Sequence, residues 1–193
     1  MLWVGWFGFN GGSQLAADGG AAMAITVTHI SAAMASLSWV MWERIKYGKA
    51  SLVGIVTGTI AGLASITPAS GFVGPIEALI IGFIAGIICQ EATIFVKRFL
   101  VIDDTLDVFA VHGLGGIFGT LMIPFFAFLG FENGSSFTSQ IGGIIIVGAY
   151  TVLVSSIIIF VLKFFIPMRV SEETEWEGLD LREHGEKAYD LSS

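Results

Sequence analysis

Five long apolar runs constrain this chain more than any other feature. They cover about 21–42, 51–68, 75–96, 106–129 and 139–166, and each is long enough as a helix to cross roughly 30 Å of hydrocarbon. At that depth no water is available to backbone amides and carbonyls, so such runs are committed to helices. Composition agrees: 54% of the 193 residues are hydrophobic and 13% charged, with mean hydropathy +0.83. That balance excludes a soluble domain of this size and describes an all-α polytopic membrane protein. There is no basic run and no stacking platform, so nothing in the chain reads as a nucleic-acid partner.

The formal net charge of −7 belongs largely to one end. Half of the 16 acidic residues (Glu172, Glu173, Glu175, Glu177, Asp180, Glu183, Glu186 and Asp190) fall in the tail 167–193. The transmembrane portion, 1–166, is close to neutral. Its basic residues are placed with a pattern. Arg44, Lys46 and Lys49 follow the first run, Lys97 and Arg98 follow the third, Lys163 lies at the end of the fifth, and Arg169, Arg182 and Lys187 follow it. The loops 10–20, 66–74 and 130–138 carry no base. This alternation fits five crossings with the basic side in the cytoplasm, which predicts a cytoplasmic C-terminal tail in the cell membrane. The opening run, 1–10, rises only about 15 Å as a helix and cannot span alone. Either it is a re-entrant piece or the chain begins in the middle of a helix. It lacks a basic n-region and a cleavage site and does not read as a signal peptide.

Glycines recur at four-residue spacing: Gly54, Gly58 and Gly62; Gly82 and Gly86; Gly115 and Gly119. That spacing predicts close helix packing in lipid. The loop ITPASGFVGP (66–75) reads as a tight turn on the non-cytoplasmic side. Cys89 has no partner for a disulfide and reads as a small buried apolar residue.

Ionisable groups inside apolar runs are expensive and are functional candidates for that reason. Here they are His29, Glu77, Glu91 and His112. Glu77 follows Pro75 by two residues, where an acid favours the helix dipole. Glu91 can pair with Lys97 or Arg98. Asp103 and Asp104 can cap the next helix, whereas Asp107 lies a turn deeper, where capping explains less. His29 stands among small and hydroxylated residues, and interhelical hydrogen bonding accounts for it. His112 has Gly113, Gly115 and Gly116 beside it. It either bonds a neighbouring helix or lines a narrow path, and spacing alone leaves both readings open. His29, His112 and His184 lack short-range ligand partners, so no metal site is expected. No nucleophile elbow is present, and no enzyme is expected.

Four motifs occur in order: GWFGFNGGS (5–13), ITPASGFVGP (66–75), DDTLDVFAVHGLGGIFG (103–119) and EGLDLREHGEKAY (177–189). Together they resemble the ammonium transporter family (the Amt/Mep/Rh group), end to end along the chain. The resemblance implies the second half of an eleven-helix fold, from late in the sixth helix through the eleventh and the tail. In that fold two inverted five-helix halves enclose a pore and the assembly is a homotrimer. The first half would then be missing, with Met1 an internal position or a truncated gene start.

The resemblance also implies roles for named residues. Phe9 would be one of two stacked phenylalanines at the outer mouth. Ser13 would supply the hydroxyl that accepts from ammonium in the outer recruitment site. His112 would be the second of twin pore histidines. Asp104 and Asp107 would have a structural role at the cytoplasmic start of the tenth helix. His29 sits in a seventh-helix context and is not taken as the twin. The tail would pack against the neighbouring protomer and help engage PII signalling proteins, and its apolar positions Trp176, Leu179, Leu181 and Tyr189 predict ordered packing. No cofactor is implied.

The implied function is transport of ammonium or ammonia across the lipid bilayer. A bare cation in hydrocarbon costs far more than a neutral amine. An aromatic cage holds the cation, an apolar lumen favours ammonia, and an imidazole there has both a donor and an acceptor. Two alternatives stand beside it: a nonconducting ammonium sensor on the same scaffold, and an inactive fragment lacking the first half of the pore.

Overall fold

The computed structural model describes residues 1–130 and 135–187. Among the described residues there is no strand, and every regular element is helical. The chain divides into two compact units, Met1–Ile144 and Ile145–Ser193.

The first unit opens with α1 (Leu2–Gly12), followed by α2 (Gly19–Tyr47), α3 (Leu52–Ile66) and α4 (Pro75–Arg98). A π-helical turn, Phe109–Leu114, then leads into α5 (Gly115–Phe128). Local chemistry sets the boundaries. Asp18 caps α2 by accepting from the amides of Gly20 (2.9 Å) and Ala21 (3.1 Å). Gly48, at φ 74°, ends α2 in the left-handed region that glycine tolerates. Ser51 caps α3, its hydroxyl accepting from the Gly54 amide at 2.8 Å. Pro75 occupies the first position of α4, where a missing N–H has no cost. Glu77 accepts from the Gly74 amide at 2.9 Å and closes that N-terminus.

The turn expected at 66–75 is partly helical. α3 runs to Ile66 and continues as a short 3-10 turn over Thr67–Ala69 before the chain reverses. The apolar run expected from 106 becomes helical only at Phe109. The Asp104 carboxylate accepts from the amides of Val108 and Phe109, both at 2.8 Å, and holds the preceding residues outside the helix.

Packing centres on α2, which lies against both α3 and α4 through glycine. The Ser31 hydroxyl donates to the Gly62 carbonyl at 2.9 Å. A Cβ at Gly62 would meet Ser31 O at 2.5 Å, and one at Gly82 would also strike Ser31 O. Small residues therefore let two helices approach one backbone segment, as dispersion-driven packing in lipid requires. One apolar cluster joins Val27, Ile66, Ile81, Met122, Ile123 and Phe126. A second joins Trp39, Ala61, Ala64, Cys89 and Val111, with Trp6 against it. Buried Asn10 donates to Thr28 Oγ1 at 2.8 Å and ties α1 to α2.

Glu91 does not pair with Lys97 or Arg98. It accepts from Lys46 Nζ (2.7 Å) and from the Trp42 indole N–H (2.5 Å), both on α2. The neighbour on the facing helix is closer than the bases nearly two turns along its own helix.

Helix α6 (Phe137–Leu162) is 26 residues long and begins in the first unit. Among the described residues five helical stretches are long and apolar enough to cross a membrane: Gly19–Tyr47, Leu52–Ala69, Pro75–Arg98, Phe109–Phe128 and Phe137–Leu162. The second unit ends in two short helices, α7 (Glu172–Glu177) and α8 (Leu179–His184). Ser171 caps α7, accepting from the Thr174 amide at 3.2 Å. Arg169 holds Glu175 through two bonds, of 2.7 and 3.0 Å. Arg182 donates to Glu177, an ion pair that lowers the carboxyl's pKa and raises the guanidinium's. Trp176, Leu179 and Leu181 are exposed. Tyr189 lies outside the described residues.

Candidate functional site

His112 occupies the π-helical turn, with its neighbour Val111 buried in the second apolar cluster. Burial of Val111 turns the next side chain outward into an open recess of about 340 Å³. Trp6, Ala64, Thr67, Pro68, Gly116 and Thr120 complete the lining. The indole of Trp6 lies nearly parallel to the imidazole, with centroids 6.0 Å apart and planes 14° from each other. Trp6 is itself fixed, since its N–H donates to Thr67 Oγ1 at 2.7 Å. Thr67 passes the bond on to the Leu63 carbonyl at 2.7 Å. Gly116 keeps the recess open: a Cβ there would meet nothing within 4 Å among the described residues.

Phe9 stands edge-on to Trp6, centroids 6.3 Å apart, and is 61% exposed. The structure thus brings Phe9, Trp6 and His112 into one aromatic series. Ser13 is not part of it. It is an exposed residue at the end of α1, and its hydroxyl donates to the Phe9 carbonyl at 2.7 Å. Asp104 and Asp107 lie outside the recess. Asp104 caps the start of the π turn. Asp107 lies 2.8 Å from Lys97 Nζ through Oδ1, with its backbone at φ 57°. His29 is flanked by Trp3 at 5.2 Å and Phe7 at 5.9 Å and does not line the recess. Among the described residues no group of three His, Cys, Asp or Glu side chains is placed to hold a metal ion.

Sequence reasoning passed over Trp6, Thr67 and Thr120. A signal for Trp6 existed, because an indole N–H at membrane depth needs an acceptor and Thr67 is a hydroxyl in an apolar run. Nothing in the sequence paired the two, which are 61 positions apart.

Residues 1–189 match the sequence profile of the Ammonium Transporter Family. The chain belongs to this family. The ammonium transporter Amt1 of Archaeoglobus fulgidus is 43% identical over 98% of the chain and 50% of its own length. The ammonium transporter of Bacillus subtilis is 40% identical over 98% of the chain and 49% of its own length. Among solved structures, a sensor Amt protein superposes with TM-score 0.84 at 35% identity, over 94% of this chain and 46% of that one. Candida albicans Mep2 superposes with TM-score 0.78 at 33% identity, over 89% of this chain and 41% of that one. The chain spans about half the length of the curated relatives it matches. Family membership and the five long apolar helices make it a polytopic membrane protein.

Proposed function

We propose that this chain forms the second half of a pore that carries ammonium or ammonia across the cell membrane, with His112 lining the path. The observation that carries the reading is His112 itself, an imidazole held beside Trp6 in a recess otherwise lined by small residues, Pro68 and two threonines. Relatives named as ammonium transporters support the substrate. In this reading Phe9 lies at the outer mouth and Ser13 receives the cation there. The cation gives up its proton at the mouth, because desolvating a charge costs far more than desolvating ammonia, and the proton crosses separately by way of the pore histidines, so that transport carries net charge. The imidazole then offers a donor and an acceptor to the neutral amine inside.

The remaining half of the fold closes the recess, and the protomers assemble as a homotrimer. Asp104 and Asp107 are structural. The tail is cytoplasmic, where its exposed Trp176, Leu179 and Leu181 serve contacts with a neighbouring protomer or a PII protein.

A second reading is favoured by the superposition on a sensor Amt protein: the same scaffold binds ammonium without conducting. One measurement separates them. The full-length transporter containing this chain, in proteoliposomes, gives an ammonium-dependent current that His112→Ala alters in size or selectivity. Unchanged currents in that variant sink the role of His112, and ammonium binding with neither current nor ammonia flux favours the sensor.

A further inference from the structure

We propose that Lys97 and Asp107 are positioning residues for the imidazole of His112, acting through the backbone turn that carries it. The proposal rests on the transport reading above. Neither side chain lines the recess around His112, so whatever they contribute travels along the chain.

Three features coincide at this point. Asp107 is in the left-handed region, φ 57°, where a residue other than glycine is strained and persists only when its surroundings hold it. Lys97 Nζ, in the last turn of α4, lies 2.8 Å from its Oδ1. Directly afterwards comes the π-helical turn Phe109–Leu114, a widened geometry that is rare and concentrates at functional sites.

The turn is pinned on both sides. Asp104 holds its first amides, and the Val111 amide donates to the Asp107 carbonyl at 2.8 Å. Ala110 packs with Ala92 and Val96, and Val111 with Trp39, Ala61, Ala64 and Cys89. An ordinary α-helical path from the same start would rotate residue 112 about the axis and break its parallel arrangement with Trp6. Lys97 therefore holds Asp107 left-handed, Asp107 starts the wide turn, and the wide turn aims His112. An exposed ion pair with no such task contributes little; this one sits at the strained residue that begins the turn.

The test uses the full-length transporter in proteoliposomes, with currents recorded across ammonium concentrations. Lys97→Ala should lower the maximal current about tenfold, as a small misplacement of a reacting group does. The half-saturating concentration should stay within about twofold. Lys97→Arg should restore the current. Asp107→Gly tolerates the backbone but removes the carboxylate, and combined with Lys97→Ala it should lower the current no further than the worse single variant. A Lys97→Ala transporter with wild-type maximal current, or additive losses in the double variant, overturns the proposal. Lys97→Met keeps the aliphatic stem and replaces the alanine variant if that does not fold. Amide exchange of residues 109–114 judges the positioning separately from transport: it should quicken in Lys97→Ala and not in Lys97→Arg, and equal protection overturns the proposal. A wild-type protein giving neither ammonium current nor ammonia flux would instead defeat the transport reading.

Discussion

Trp6 lies parallel to His112 at 6.0 Å while Thr67 Oγ1 takes its indole N–H at 2.7 Å. One residue of α1 is therefore tied at once to the 3-10 turn after α3 and to the π turn before α5. Removing the acceptor alone leaves a donor with no partner in an apolar setting. Thr67→Val should cost about 1–3 kcal/mol, whereas Trp6→Phe in the Thr67→Val background should recover most of it, because the orphaned donor is gone. Thermal unfolding of the four proteins in detergent checks this. Equal stability of Thr67→Val and wild type would show that the bond contributes nothing.

Two glycines of α5 should separate packing from permeation. A Cβ at Gly119 would strike the Ser65 carbonyl oxygen, a backbone atom that cannot step aside. Gly119→Ala should destabilise by about 1–3 kcal/mol, the usual cost of overpacking. Gly116 has room for a methyl group, and alanine there should hold or raise stability. That methyl would, however, enter the recess beside His112, so Gly116→Ala should reduce ammonium current while the protein unfolds no earlier than wild type. Full current in Gly116→Ala would separate the recess from the path.

Much of this architecture was legible in the sequence, because the bilayer leaves a long apolar run few options. The helices at Gly19–Tyr47, Pro75–Arg98 and Phe137–Leu162 follow from length and hydropathy alone. The glycine spacing marked packing faces, and Gly62 and Gly82 do lie against the backbone of Ser31, but that α2 is their shared partner was not legible. Partners across helices were not legible. Glu91 found Lys46, 45 positions away, because the choice among nearby bases depends on how two helices cross. Trp6 stayed hidden for the same reason. The π turn was illegible in another way: its sequence, FAVHGL, reads as ordinary helix, and nothing in it announces the wider geometry. His112 could be singled out from its surroundings as a candidate. What faces it depends on a long-range hydrogen bond at Trp6.

The N-terminus of α2 should lose protection in acid. The Ala21 amide, then the Gln14 side chain and the Gly20 amide, hold the Asp18 carboxyl below the ordinary carboxylate range. A carboxyl whose folded pKa is depressed contributes fully above its unfolded pKa of about 3.9. The contribution is lost as pH falls through the folded value. Amide exchange at Ala22, whose N–H donates to the Asp18 carbonyl at 3.2 Å, should quicken over that range after correction for intrinsic rates. Asp18→Asn still caps but does not titrate, so its corrected protection should be flat with pH. Parallel acid profiles for the two proteins would assign the loss to another group.

The proposed orientation can be read with thiol chemistry, since the sequence contains one cysteine and Cys89 is buried. In a Cys89→Ala background, single cysteines replace Lys49, between α2 and α3; Gly71, between α3 and α4; and Lys187 in the tail. All three positions are exposed. Arg44, Lys46 and Lys49 flank the first of these sites, and Lys97 and Arg98 close α4, whereas the loop at Gly71 carries no base. Basic loops stay in the cytoplasm because translocating them is disfavoured. A membrane-impermeant maleimide applied to intact cells should therefore modify Gly71→Cys and spare Lys49→Cys and Lys187→Cys until the membrane is opened. Labelling of Lys187→Cys from outside would reverse the topology and remove the tail from reach of any cytoplasmic partner. Labelling of Lys49→Cys and Gly71→Cys from the same side would show that the intervening helix, α3, does not cross.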